Sequence, residues 1–219
     1  IAQIENLYEV YRQETDKEKR TALYKQIDSL SYIASGFAIA NEYDKMMSFI
    51  GSKGTNAATS NDYTFYQENI PSNQLENWAK IQADRFSNPV LRLFHTELET
   101  IYEEKNMSLA HDGNKVLDGI LEASFANHPY GKQSIIGTQE HLKNPSITNI
   151  KEYYKKWYVP NNMAICMSGD FDFDEAMDII EKYFGDMQPN PELQMMEYEP
   201  EKEITEPIVR ETWGLESEM

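Results

Sequence analysis

Four carboxylates, Glu97, Glu99, Glu103 and Glu104, fall within eight residues of HTELETIYEEKNMSLAHDG, residues 95–113. Carboxylates grouped this closely can hold a divalent cation or move protons. At about 100° per residue, positions seven apart differ by roughly 20° around a helix. Glu97 and Glu104 therefore share a face, and His111 extends that stripe. Glu99 and Glu103 share a different face at i, i+4. Two carboxylates on a buried stripe are costly unless a cation or hydrogen bonds meet them. A solvated acidic face is the other reading, and surface helices carry many glutamates. On the residues alone the solvated face is favoured.

Nothing inside the chain completes a metal site. The histidines are His95, His111, His128 and His141. None forms H-E-x-x-H or H-x-x-E-H, the spacings that put two imidazoles on one helical face. A lone helical histidine is more often a packing or surface residue. His128 reads as loop structure and His141 as helix surface. There is no G-x-S-x-G, no Walker loop and no G-x-G-x-x-G, and GSKGT lacks the flanks of a phosphate loop. The single cysteine, Cys166, excludes an intrachain disulfide and a cysteine-built zinc cage. It lies in an apolar run and reads as a buried thiol. A second feature is the run of small residues at 55–59, TNAAT. At a sheet edge such residues let a peptide backbone approach as an added strand; an ordinary strand behind a glycine turn fits equally.

The net charge of −17 over 219 residues argues against nucleic acid as a partner, because no basic stripe is present, and against anionic membrane surfaces. No apolar run approaches the ~18 residues of a membrane span. The compartment stays undecided. Both ends look cut, so the chain reads as a segment of a longer protein.

Several elements must position these residues. Ile4, Leu7, Tyr8 and Tyr11 predict a helix over 3–13. Thr15 or Asp16 is placed to cap a second, carrying Leu23, Ile27, Leu30, Ala34, Phe37 and Ala38, with Met46 and Met47 as a possible continuation. Together they predict a helical hairpin over 1–48. Residues 55–68 predict one strand, ended by Pro71. Ser72 or Asn73 should cap the next helix, closed by Pro89. A long helix from Phe94 carries the acids toward Phe125, with a break plausible at Gly113. A short helix is predicted over 139–143. Ser146 should cap an amphipathic helix with Ile147, Ile150, Tyr153, Tyr154 and Trp157 inward. MAICMS predicts a buried strand. Asp172 with Glu175 opens another helix, stopped at Gly185. Residues 188–207 read as an acidic, proline-rich linker, and 208–219 as the start of a further strand. The expected division is 1–48, 49–187, 188–207 and 208–219.

Four stretches, in this order, resemble the N-terminal half of the pitrilysin/insulinase family of inverted-motif zinc peptidases. They are GTNAATSNDYTFYQENIPSNQLENWAKIQADRFSNP, ELETIYEEKNMS, HPYGKQSIIGTQEHL and YYKKWYVPNNMAICMSGDFDFDEAMDIIEKYFG, together spanning about 41–187. The resemblance implies an α+β fold, with helices packed on a mostly antiparallel sheet and the N-terminal hairpin as an insertion. It implies that Glu104 is a zinc ligand and that Glu97 is a second acid supporting the site's chemistry. It places Asn56, Ala57 and Ala58 on the edge strand that pairs with substrate backbone. The H-x-x-E-H helix, with two histidine ligands and the general base, would lie before Ile1. A second homologous half, in the same chain or a partner, would help grip a peptide or small-protein substrate. The implied reaction is attack by zinc-activated water.

The segment by itself is expected neither to cleave peptides nor to hold zinc tightly. One rival is a family member without catalytic chemistry that serves as a structural or partner-binding half. The other is an acidic module that binds a cation or a basic peptide.

Overall fold

The computed structural model describes residues 1–214. They form two compact units. One comprises Ile1–Glu5, Tyr32–Arg92 and Ser146–Gln194; the other comprises Asn6–Ser31, Leu93–Pro145 and the described residues from Met195 onward. The fold is α+β, and the sheet is antiparallel.

In the first unit, helix α3 (Glu42–Phe49) is separate from α2 (Lys17–Ser35), so the second helix does not run on to Met47. Asn41 sits between them in the left-handed region, with φ of 54°. Helix α3 ends in two reversed hydrogen bonds, Gly51 N–H to Ser48 O at 3.0 Å and Ser52 N–H to Met47 O at 2.9 Å. That ending needs a residue with positive φ, and Gly51 supplies 81°. A side chain there would also press on Pro71, whose Cγ would lie 3.2 Å from a Cβ.

The single strand predicted over 55–68 is instead a hairpin. Strand β1 (Lys53–Thr59) pairs antiparallel with β2 (Thr64–Asn69). Ser60 N–H to Tyr63 O at 2.8 Å closes the turn. Asn61 and Asp62 sit at its tip, residues that turn a chain readily, and the alternation carried through both strands hid them. The register shifts between Lys53 and Asn56, beside Gly54 at φ 71°, as at a bulge.

Helix α4 (Leu75–Ser87) follows a 3-10 turn, Ser72–Gln74. Neither Ser72 nor Asn73 caps it by side chain; the turn's own bond, Gln74 N–H to Pro71 O, takes up the entry. Ala79, Gln82 and Ala83 are its buried face. Glu68 of β2 accepts hydrogen bonds from Tyr43, from Gln82 Nε2 at 3.1 Å and from Trp78 Nε1 at 3.4 Å. The Arg85 guanidinium lies over the Tyr43 ring at 4.1 Å and the Tyr66 ring at 4.6 Å. This polar and aromatic seam fixes the hairpin to α3 and α4.

Ser146 caps helix α9 (Ile147–Trp157), accepting from Asn149 N–H at 3.0 Å. Of its predicted inward residues, Ile147 is buried, but Ile150 and Tyr153 are exposed, Tyr153 by 60%. Tyr154 donates to Phe86 O at 3.0 Å, so the helix docks on the edge that bears Ile147 and Tyr154. Asp172 caps α10 (Phe173–Phe184) through Glu175 N–H. This helix packs on α4, where Lys182 and Tyr183 both donate to Glu76. MAICMS is not a buried strand. Residues 163–168 pair with no strand among the described residues, and Ile165 and Cys166 are exposed. An apolar run forms a strand only where another strand accepts its hydrogen bonds.

The second unit contains most of α1 (Ala2–Gln13) and α2, then α5 (Phe94–Ala110), α6 (Asp112–Ser124), the single turn α7 (Pro129–Lys132) and α8 (Gln139–Lys143). Asp16 caps α2 through Lys19 N–H at 2.9 Å. Arg20 donates to the carbonyls of Tyr11 and Glu14, which closes the turn between α1 and α2. Residues 208–214 form no strand, contrary to expectation, and 215–219 lie outside the described residues.

Replacing Glu68 by alanine removes the acceptor shared by Tyr43, Trp78 and Gln82 and leaves the buried Gln82 amide with the Tyr43 hydroxyl as its remaining oxygen partner. It should lower stability by about 1–3 kcal/mol, read as a urea midpoint, with Glu68→Gln milder.

Candidate functional site

The candidate carboxylates ride on α5, and that helix is anchored from the opposite side. Its inner face carries Phe94, His95, Leu98, Tyr102 and Lys105, of which His95 and Lys105 are buried. The His95 ring meets Tyr8 of α1, with Tyr8 Oη 2.6 Å from Nδ1. Its other nitrogen, Nε2, is buried without a hydrogen bond and lies 3.7 Å from both Asp28 of α2 and Glu99. Tyr24 of α2 donates to Glu99 at 3.0 Å. Lys105 donates to Ser134 Oγ at 3.3 Å, and Ser134 donates to Gly137 O. Residues on α1, on α2 and in the loop before α8 thus fix α5 along its length and in rotation.

Glu97, Glu99, Glu103 and Glu104 are all exposed. Glu97 and Glu104 lie on the outer face, about 10.5 Å apart along the axis at 1.5 Å per residue. Helical donors that chelate one ion sit a single turn apart, so this pair serves different tasks if both serve. Water surrounds them, and the desolvation cost of a buried acidic stripe does not arise. His111 does not extend the stripe. Helix α5 ends at Ala110, and His111 is extended, at φ −89° and ψ 118°. The break falls there rather than at Gly113. His128 accepts from Tyr130 N–H at 3.3 Å and caps α7, while His141 is exposed on α8.

Asn56, Ala57 and Ala58 lie in β1 of the first unit, opposite Gln67, Tyr66 and Phe65. All three are exposed, and among the described residues β1 has β2 as its one neighbour. The other edge of β1 is open. Asn56 Oδ1 accepts from Ala57 N–H at 2.9 Å.

A zinc site requires three or four donors. Among the described residues no group of three His, Cys, Asp or Glu is placed to hold a metal ion. Glu104 presents one exposed carboxylate. The anchors His95 and Lys105 were missed in the sequence because both are polar types. Their one signal was phase, since they fall in register with Phe94, Leu98 and Tyr102.

The family described as the Peptidase M16 inactive domain matches residues 146–214. An uncharacterized zinc protease of Mycobacterium leprae is 28% identical over 132 residues, 59% of this chain and 29% of that protein. A probable mitochondrial-processing peptidase subunit beta of Schizosaccharomyces pombe is 26% identical over 140 residues, 63% of this chain and 30% of that protein. The chain thus spans under a third of the length of these two relatives. In fold, it resembles the crystal structure of a protease from Helicobacter pylori. The TM-score is 0.59 at 23% identity, over 70% of this chain and 38% of that one.

Two measurements test the anchoring of α5. Tyr8→Phe leaves buried Nδ1 unpaired and should destabilise the chain by about 1–3 kcal/mol in urea unfolding. Tyr24's phenol is pushed up to about 12, first by burial and then by the Glu99 carboxylate. Unfolding returns it to about 10. Its contribution is full below about pH 10 and lost as pH rises through 12, because only the folded state keeps the proton between those values. Urea midpoints should fall across that window, and less so in Tyr24→Phe.

Proposed function

From a chain that belongs with the pitrilysin/insulinase-type M16 peptidases, we propose that it supplies one ligand helix and the substrate edge of a zinc endopeptidase. The observation that carries this reading is the stance of α5. Its inner face is pinned by His95 and Lys105, while Glu104 and Glu97 project into solvent, free to meet groups from elsewhere. In this reading Glu104 is a zinc ligand, and Glu97 steers and supports the site without binding the metal. Asn56, Ala57 and Ala58 offer backbone to a peptide that adds as a strand, which selects by main-chain shape more than by side chain. The open edge of β1 and its small side chains support that role.

Zinc, when bound, supplies a water acidic enough to attack a peptide carbonyl near neutral pH. The other two ligands and the base would come from an H-x-x-E-H helix that these 219 residues do not contain. A second homologous half, in the same chain or in a partner, would complete the grip on substrate. A relative named as a subunit supports an assembly of that kind.

A second reading is favoured by one observation: the matching family over residues 146–214 is described as an inactive domain. There the chain would be a structural or partner-binding half.

Purified alone, the 219-residue chain should give no chelator-sensitive peptide hydrolysis and no tight zinc binding by calorimetry. Hydrolysis by the chain itself, abolished by a chelator, would overturn the assignment of the missing ligands. In a longer protein that includes an H-x-x-E-H helix, Glu104→Gln should abolish stoichiometric zinc and activity. Glu97→Gln should lower activity about 10–100-fold, as loss of a supporting residue does. A longer protein that carries no such helix and does not cleave peptides would favour the second reading.

A further inference from the structure

Residues 187–207 hold six glutamates against one lysine, and most of the stretch is exposed. Of the six glutamates, Glu201 is the one that is only partly exposed. Its Oε1 accepts from Asn127 N–H at 2.8 Å and from His128 N–H at 2.6 Å, and its Oε2 accepts from Asn127 N–H at 3.1 Å. Three residues earlier, the Tyr198 ring stands edge-on to the His128 ring at 4.4 Å. On that same imidazole lies Tyr130, also edge-on, at 4.2 Å. A carboxylate and an aromatic ring, three residues apart in sequence, therefore close on the loop before α7, the carboxylate on the Asn127 and His128 amides and the ring on His128.

Each contact has a physical basis. The two adjacent amides converge on one carboxylate, as successive backbone N–H groups do in anion-binding concavities. Charge-assisted bonds of this kind are about twice as strong as neutral ones. Pro200, between the two contact residues, fixes its own φ and biases Glu199 to extended geometry, which limits the entropy lost on docking. The flanking residues Met195 and Met196 are 72% and 62% exposed, so the contact is a local attachment, and a further hold on the segment comes at Trp213, whose carbonyl accepts from Lys115 Nζ at 3.3 Å.

We propose that residues 198–201 form a releasable strap. Glu201 is its fastener, and the Asn127 and His128 amides with the His128 ring are a docking site for acidic, tyrosine-bearing peptide. This chain fills that site with its own segment. Release would free residues 198–201, with Trp213 still held by Lys115, and expose the site to an acidic peptide in trans.

Hydrogen exchange at single-residue resolution tests this at constant pH. Glu201→Gln should speed exchange of the Asn127 and His128 amides roughly ten-fold or more, the range expected for losing charged hydrogen bonds. Glu203→Gln, two residues away, should leave both amides unchanged. A synthetic peptide of residues 197–203 should restore slow exchange in a Glu201→Ala chain. The same peptide with glutamine in place of its Glu201 should not. In the unaltered chain, raising salt to 1 M should speed these two amides and spare those within α5, because charge is then screened within about 3 Å. Unchanged exchange in Glu201→Gln, equal acceleration by Glu203→Gln, or a peptide without effect at millimolar concentration would each overturn the proposal.

Discussion

A polar atom taken out of water must find a partner or destabilise the fold, and that constraint governs how this chain is joined. Among the described residues the buried polar side chains are Gln82, His95, Lys105 and Ser146, and the first three join elements distant in sequence. Gln82 bonds Tyr43 and Glu68, joining α3 and β2 to α4. His95 meets α1 through Tyr8, Lys105 reaches the loop before α8, and Ser146 caps α9. Apolar burial supplies the larger energy but little direction. Bond geometry at Gln82, His95 and Lys105 sets which faces of their helices turn inward. The outward stance of Glu97 and Glu104 follows from what holds the other side of their helix.

Local chemistry was legible in the sequence where one residue acts on its near neighbours. Asp16, Ser146 and Asp172 were readable as caps because a cap needs only its own side chain and an amide three residues on. The α+β class was legible through the family resemblance. Partners distant in sequence were not. The turn at 60–63 was hidden by alternation that continues through both strands. Residues 163–168 have strand composition, but composition cannot supply a neighbouring strand. Ile150 and Tyr153 keep helical phase with Ile147 yet face water, because periodicity marks a stripe without saying how much of it is covered.

The acidic helix shows the same limit at the candidate site. Spacing selected Glu97 and Glu104 and even suggested His111, which the end of the helix at Ala110 removes. Spacing put His95, two residues before Glu97, in phase with Leu98 and Tyr102 but gave no sign of what its ring would meet. Its ring looks like a ligand beside carboxylates, yet Tyr8 engages one nitrogen and the fold encloses the other. Nearness in sequence to a candidate site and membership in it are separate properties here.

The uncovered run at 163–168 also bears on how the protein behaves in bulk. An apolar stretch with free amides and carbonyls is a template for pairing between molecules. At −17, mutual repulsion keeps molecules apart in dilute buffer. Colloidal stability therefore rests on charge more than on shape, and it weakens as salt screens that charge or as pH nears the isoelectric point of about 4.6. The surface that leaves residues 163–168 unpaired also carries the surplus of glutamate and aspartate that first drew notice as possible chemistry.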